Sequence, residues 1–524
     1  MVSANRRHNV RLLMRACVCQ IRDRDSIVHF ADSQLCILVL MASLRWAAVV
    51  SVLCLLLLMF PAPSAAYSLL THEQLIDLTW DDSIVPLLLS RYPNLTPQQL
   101  EEARAYAYGG SVIQDLGYYP FGQRSFSNLT HYIRTGDFVV NLFRDAHNAD
   151  ELAFAVGALS HYIGDTYGHS LAVNVAVPVE YHRLHRKYGR VVTFAEDEHR
   201  YVATEFSFDI DEVAHHRMAP LHYLRHIGLR VSMQQLSLAF YQTYGLSEQL
   251  EGTRRERVNE GAYRFAVRAF IPRIAYAVTL LHRHHEPPDV TTPEAIELHR
   301  EISEMAAFDD WDAYRHRAGI GTWSLAIFLF IVPKVGPLRQ VAIRGPTEKT
   351  EGEYVHSLAV SVYELRQVLW RFTPPAARKT MWDRRAYPDV PVDPRDPNHP
   401  LMNRDLDTGY IVQAGGYRLT DETYANLLHA LASQPKVPIP LGIKEEIEKF
   451  YSDPEAPIFT KRDPHKWAQV QKDLATLTNI PTSPTPQPLP TYDDGEQAQT
   501  GPAAKPEQNE LHTESPPIMP IEPY

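Results

Sequence analysis

The sequence predicts an all-α fold, and three observations carry that expectation. Thr96-Pro97-Gln98-Gln99 reads as a capping box with proline at the first helical position. Asn148-Ala149-Asp150-Glu151 reads as a second helix start, and Leu152, Val156, Leu159 and Ile163 follow it near helical period. From about Arg254 to Leu281 a longer helical pattern carries Phe265, Val267, Phe270, Ile271 and Ile274. Pro272 falls inside it and is expected to kink or break it.

Along the chain, the first informative segment starts at Met41. Arg45 supplies a positive flank, Trp46 to Phe60 is almost unbroken apolar sequence, and Ser64-Ala65-Ala66 offers small residues before Tyr67. That order reads as a signal peptide over 41–66, cleaved to leave Tyr67 first, in a protein secreted or delivered to a periplasm. The apolar run is short for a membrane span. Residues 1–40 precede a complete export signal, so they are expected to be a non-native upstream extension. All four cysteines, Cys17, Cys19, Cys36 and Cys54, precede the cleavage point. The mature chain therefore can hold neither a disulfide nor a thiolate metal site, and any zinc must use nitrogen and oxygen ligands.

Helical punctuation marks 67–290 as one domain and 291–372 as a helical continuation. Within the continuation, Trp323 to Val332 (WSLAIFLFIV) is apolar, too short to span a bilayer, and expected to be a buried core helix. The sharper alternative is an element that touches a lipid surface. Residues 373–480 read as an irregular linker with short helices near 420–433 and 443–451. From 481 to 524 the chain is rich in Pro, Thr and Gln and reads as a disordered tail. The formal net charge is −11. With no strongly basic field, no stable nucleic-acid partner is expected.

The strongest chemical signal is AFAVGALSHYIGDTYGHS. His161, Asp165 and His169 stand at i, i+4 and i+8, which places them on one stripe if the helix runs through. Zinc needs donor atoms converging at about 2.0–2.2 Å, and such a stripe can present them. A polar stripe on a helix rim would look the same. Three further pieces carry candidate ligands: His72 near the mature N-terminus, Asp115 with His131 in GGSVIQDLGYYPFGQRSFSNLTHYIRTGDF, and His199 with Glu205 in TFAEDEHRYVATEFSFDID. His282, His284 and His285 close the long helical pattern, where cations suit the helix dipole without any metal.

These pieces together resemble the zinc-dependent phospholipase C superfamily, which includes single-strand nucleases and is similar to the catalytic part of glycosylphosphatidylinositol-specific phospholipase D. Tyr67, His72, Asp115, His131, His161, Asp165, His169 and Glu205 follow the family's ligand order. The resemblance covers roughly Tyr67 to Phe240 and implies a helical phospholipase C/nuclease-like domain holding two or three zinc ions. It implies that Asp115, His131, His161 and Asp165 hold one ion. Asp165 would bridge to a second, completed by His72 and the amino and carbonyl groups of Tyr67. His169, Glu205 and one more histidine would hold the third, with His199 the first choice and His182 or His185 as alternatives. Asp115 would orient or deprotonate the attacking water.

Three departures from the family pattern stand out. Tyr67 replaces the usual tryptophan, though the main-chain donors survive that change. Three residues rather than five separate Asp165 from His169, as in the phospholipase D relative. Tyr201 stands where the family's His-x-x-x-Glu would place a histidine before Glu205. The expected activity is zinc-dependent hydrolysis of a phosphodiester, phospholipid first, with transient membrane-surface contact. A nuclease or nucleotidase on the same cluster, or a non-catalytic zinc-binding helical protein, are the alternatives.

Overall fold

The computed structural model describes residues 69–118, 122–246, 276–277, 279–280, 289–315, 319, 323–327, 345–381, 399–484 and 489. Tyr67, the signal segment, most of the long pattern at 254–281 and the histidines at 282–285 lie outside them. The fold is all-α. Among the described residues, strand structure amounts to Ile439–Pro440 paired in parallel with Thr482–Ser483, plus one bridge between Arg404 and Ile411.

In chain order the helices are α1 (Leu69–Thr79), α2 (Val85–Arg91), α3 (Pro97–Gly110), α4 (Arg124–Tyr132), α5 (Thr135–Arg144) and α6 (Ala149–Gly168). Then come α7 (Asn174–Glu180), α8 (His182–Tyr188), α9 (Glu198–Ala214), α10 (Leu221–Ile227) and α11 (Met233–Tyr244). Beyond them lie α12 (Pro293–Phe308), α13 (Glu348–Phe372), α14 (Arg418–Ala432), α15 (Leu441–Phe450) and α16 (Pro464–Leu477). Thr96 does cap α3 in a reciprocal box with Gln99, and the Asn148 side chain accepts from Glu151 N at the start of α6. The two short helices expected near 420–433 and 443–451 are α14 and α15.

Helix α6 is the axis of the domain, and nearly every residue along it is buried. Its small residues explain how it can be surrounded. A Cβ on Gly157 would lie 2.1 Å from Ala107 O, and one on Gly110 would lie 2.0 Å from Phe154 O. Helices α3 and α6 therefore cross backbone to backbone, and only glycine fits at the crossing. Helix α13, far along the sequence, also packs on α6. It is tied to the start of α1, where Thr71 Oγ1 lies 3.0 Å from Tyr354 Oη and donates to Asp209 Oδ1 at 2.7 Å.

The apolar segment at 323–332 is described only over 323–327. There Ala326 is buried, but Trp323 and Ile327 are exposed at 39% and 54%. The expectation of a fully buried core helix is corrected for this turn: it presents an apolar side outward. No helix among the described residues is long and apolar enough to cross a membrane.

Candidate metal centre

Helix α6 runs through Asp165 unbroken, and a wide π turn follows at His169–Val173. The stripe of His161, Asp165 and His169 is thus real, and all three are buried. Helix α1 lays His72 across it. The His72 and His161 rings stack with centroids 4.2 Å apart. Gly164 makes room, since a Cβ there would meet Leu75 Cδ1 at 2.8 Å and the His72 ring at 3.2 Å. Asp115 enters from the short turn Gln114–Tyr118, His131 from the last turn of α4, and Glu205 from the middle of α9.

The histidines are oriented from behind. His131 Nδ1 donates to Ser127 O at 2.7 Å, His161 Nδ1 to Ser111 O at 2.9 Å, and His169 Nδ1 to Leu406 O at 2.9 Å. A carbonyl can only accept, so each Nδ1 carries a proton and each Nε2 is the nitrogen turned toward the cluster. That is how a metal-binding imidazole is fixed by its outer partner.

Donor spacings follow from this. His161 Nε2 stands 3.0 Å and His131 Nε2 3.3 Å from Asp165 Oδ2, and His131 Nε2 is 3.3 Å from Asp115 Oδ1. The other oxygen, Asp165 Oδ1, lies 3.2 Å from His72 Nε2. A tetrahedral ion with bonds of about 2.0–2.1 Å keeps its donors about 3.3 Å apart. The Nε2 atoms of His131, His161 and His169 and both oxygens of Asp115, Asp165 and Glu205 are buried yet make no hydrogen bond. Orphaned donors at tetrahedral spacing fit zinc. The two oxygens of Asp165 face two different groups of ligands, the arrangement of a bridging carboxylate.

The outer end is looser. His169 Nε2 lies 3.6 Å from Glu205 Oε1 and 3.8 Å from Asp165 Oδ1. The histidine expected to complete this position does not arrive. His199 is exposed in the first turn of α9, while Glu205 is buried six residues later. Six residues rotate about 600° around a helix, so the two side chains leave on different faces. His199 is therefore not a ligand here, and His182 and His185 on α8 are exposed as well. Tyr201 is buried edge-on to His169, with ring centroids 5.6 Å apart, and its hydroxyl donates to Asn174 Oδ1 at 2.9 Å.

Electrostatics divide the cluster in the same way. Burial works to lower the His131 pKa, yet Asp115 and Asp165 outweigh it and raise the ring to about 10. Burial likewise opposes the Asp165 charge, but His161, His169 and His131 hold its carboxyl well below the usual range. Glu205 goes the other way: burial first, then Asp115, Asp165 and Asp407, push it well above the ordinary carboxylate value. That end of the site lacks positive charge.

One contributor escaped the sequence reading. The segment 399–417, read as part of an irregular linker, closes over the site. Leu406 O orients His169, and Leu406 N donates to His131 O at 3.0 Å. Asp407 is buried 3.9 Å from His169 Nδ1, accepting from Tyr417 Oη at 2.7 Å and Tyr132 Oη at 3.0 Å. No periodicity or motif in that segment signals this role.

Residues 71–249 match the model of a family described as zinc-dependent phospholipase C. No curated protein and no solved structure matches the chain.

Proposed function

We propose, from the match of residues 71–249 to the zinc-dependent phospholipase C family model, that the protein is an exported phosphodiesterase that hydrolyses phospholipid head groups. The observation that carries the reading is the convergence of buried histidine nitrogens on both oxygens of Asp165. Asp115, His131, His161 and Asp165 would hold one zinc. His72 and Asp165 would hold a second, with the amine and carbonyl of Tyr67 completing it. His169 and Glu205 offer a weaker third position.

Bound zinc would supply a water of lowered pKa and positive charge against the phosphoryl oxygens. Asp115, a ligand with a second oxygen to spare, would take the proton of the attacking water. The water oxygen bonds to phosphorus, the P–O bond to glycerol breaks, and the diacylglycerol oxygen leaves with a proton. The phosphorylated head group is the other product. The exposed apolar pair Trp323 and Ile327 supports contact with a lipid surface.

The test is a hydrolysis screen of phosphatidylcholine and phosphatidylinositol vesicles beside single-stranded DNA, with and without chelator. Chelator-sensitive release of diacylglycerol is the expected result. Cleavage of DNA alone would move the protein to the nuclease branch, and zinc binding without either activity would leave a structural metal protein. Processing supplies a second check. One extra residue before Tyr67 would turn its amine into an amide, a poor zinc ligand, so an uncleaved tag should lower zinc content and rate. Equal activity with the tag would remove Tyr67 from the site.

A further inference from the structure

A second group of histidine and carboxylate side chains sits at the far end of α9, outside the cluster just described. Asp211 and His215 stand four residues apart where the helix ends, and Glu351 reaches them from the first turn of α13. The three offer donor atoms that all lie within 4.8 Å of one another. Asp211 is six residues past Glu205, a rise of about 9 Å along the helix, so the two groups are separate.

Glu351 is the unusual member. Its side chain is 1% exposed, and neither oxygen makes a hydrogen bond. Asp211 Oδ2 is also buried without one. The nearest fixed cation is Arg217, whose Nη2 is 3.9 Å from Glu351 Oε1. That guanidinium is committed elsewhere: to Glu212 at 2.8 Å, to Asp289 at 2.7 Å and against His299 Nε2 at 2.7 Å. Glu212, Asp289 and Glu351 thus share one arginine, while Asp211 has His215 Nδ1 at 3.4 Å. Burial and then Asp211 push the Glu351 carboxyl up to about 8, against the pull of Arg217 and His215. His215 Nδ1 lies 3.0 Å from Asp211 O and 3.4 Å from Asp211 Oδ2, so its proton is shared between them and Nε2 is the nitrogen left to take an ion.

We propose that Asp211, His215 and Glu351 form a second divalent-cation site, suited by its one imidazole and two carboxylates to zinc. Asp211 and His215 lie within the matched residues 71–249 and Glu351 outside them. An ion here would clamp α13, which carries the Tyr354 contact to Thr71, onto the zinc-binding domain. Its role is to hold the fold together and not to take part in hydrolysis.

The experiment counts zinc in the full chain after exhaustive dialysis and follows thermal melting as zinc is added back. Glu351→Gln and His215→Ala should each hold one zinc fewer than the wild type. Both should keep the wild-type rate of hydrolysis and lose part of the zinc-dependent rise in melting temperature. If Glu351→Gln does not fold, the part-exposed His215→Ala decides the matter alone. A zinc count equal to the wild type in the folded variants overturns the proposal, and a proton on Glu351 then takes the place of the ion.

Discussion

At the Asp165 end of the cluster, donors stand 3.0 to 3.3 Å apart, and both Asp165 oxygens and Asp115 Oδ1 face a histidine nitrogen. At the Glu205 end, the corresponding distances are 3.6 and 3.8 Å, and a tyrosine occupies the helix position of the missing histidine. The protein opposes these differences with different means. Asp165 is held ionised by imidazoles, whereas Glu205 is driven toward its neutral form by burial and by the carboxylates of Asp115, Asp165, Asp407 and Asp209. On the proposed zinc reading, the Asp165 end would hold its ions more tightly than the Glu205 end, because more imidazole nitrogens surround its carboxylates.

The largest effect should come from the tight end. Asp115→Asn removes the proposed base, and hydrolysis should fall by about 10²- to 10⁴-fold. A variant with unchanged rate would take Asp115 out of the chemistry. At the loose end, Tyr201→His restores His-x-x-x-Glu and should add one ion that survives dialysis. An unchanged ion count in the folded variant would show that something besides the missing imidazole weakens this position.

Smaller effects should come from the segment that closes the loose end. Asp407 lies 3.9 Å from His169 Nδ1, whose hydrogen bond goes to Leu406 O, so Asp407→Asn should weaken zinc there by less than the roughly 10- to 100-fold seen when a hydrogen-bonded partner behind a ligand is lost. Competition with a calibrated chelator reads this directly, and equal loss at the tight end would contradict it. The foot of the same segment is fixed by Asp137, which pairs with Arg134 at 2.7 Å and His399 at 2.7 Å. Burial opposes the Asp137 charge, but these two partners outweigh it and hold the carboxyl at about 2, below its ordinary 3.8. A depressed carboxylate contributes stability that is present above its unfolded pKa and lost as pH falls. Asp137 should therefore contribute about 2 kcal/mol at neutral pH, fading as pH drops from about 4 to about 2. Urea midpoints of Asp137→Asn across that window should show a flatter decline than the wild type; parallel curves would count against it.

How much of this was legible in the sequence depended on distance along the chain. The caps at Thr96 and Asn148 were local, and both formed. The stripe from His161 to His169 needed only a helix that runs on without a break, and α6 with the π turn that follows it supplied one. The position of His199 was misread because nearness to Glu205 in sequence stood in for nearness in space, although the helix period already separates their faces. Asp407 could not be read at all. It lies beyond 230 residues of intervening chain, in a loop whose conformation depends on Asn174, Tyr417 and Thr420 rather than on its own pattern. Glu351 is a similar case, an ordinary acidic residue in a helix's first turn until α9 is packed beside it.

The most direct test of the account is a paired zinc count on Asp165→Asn and Glu205→Gln, each compared with the wild type by elemental analysis after dialysis. If Asp165 bridges two ions as proposed, its loss should release two ions per chain and abolish hydrolysis. Glu205→Gln should release at most one, and that one should be the most easily exchanged. Retention of the full wild-type zinc content by folded Asp165→Asn, or loss of the tightly held ions from Glu205→Gln, would contradict the claim that the centre is organised around Asp165.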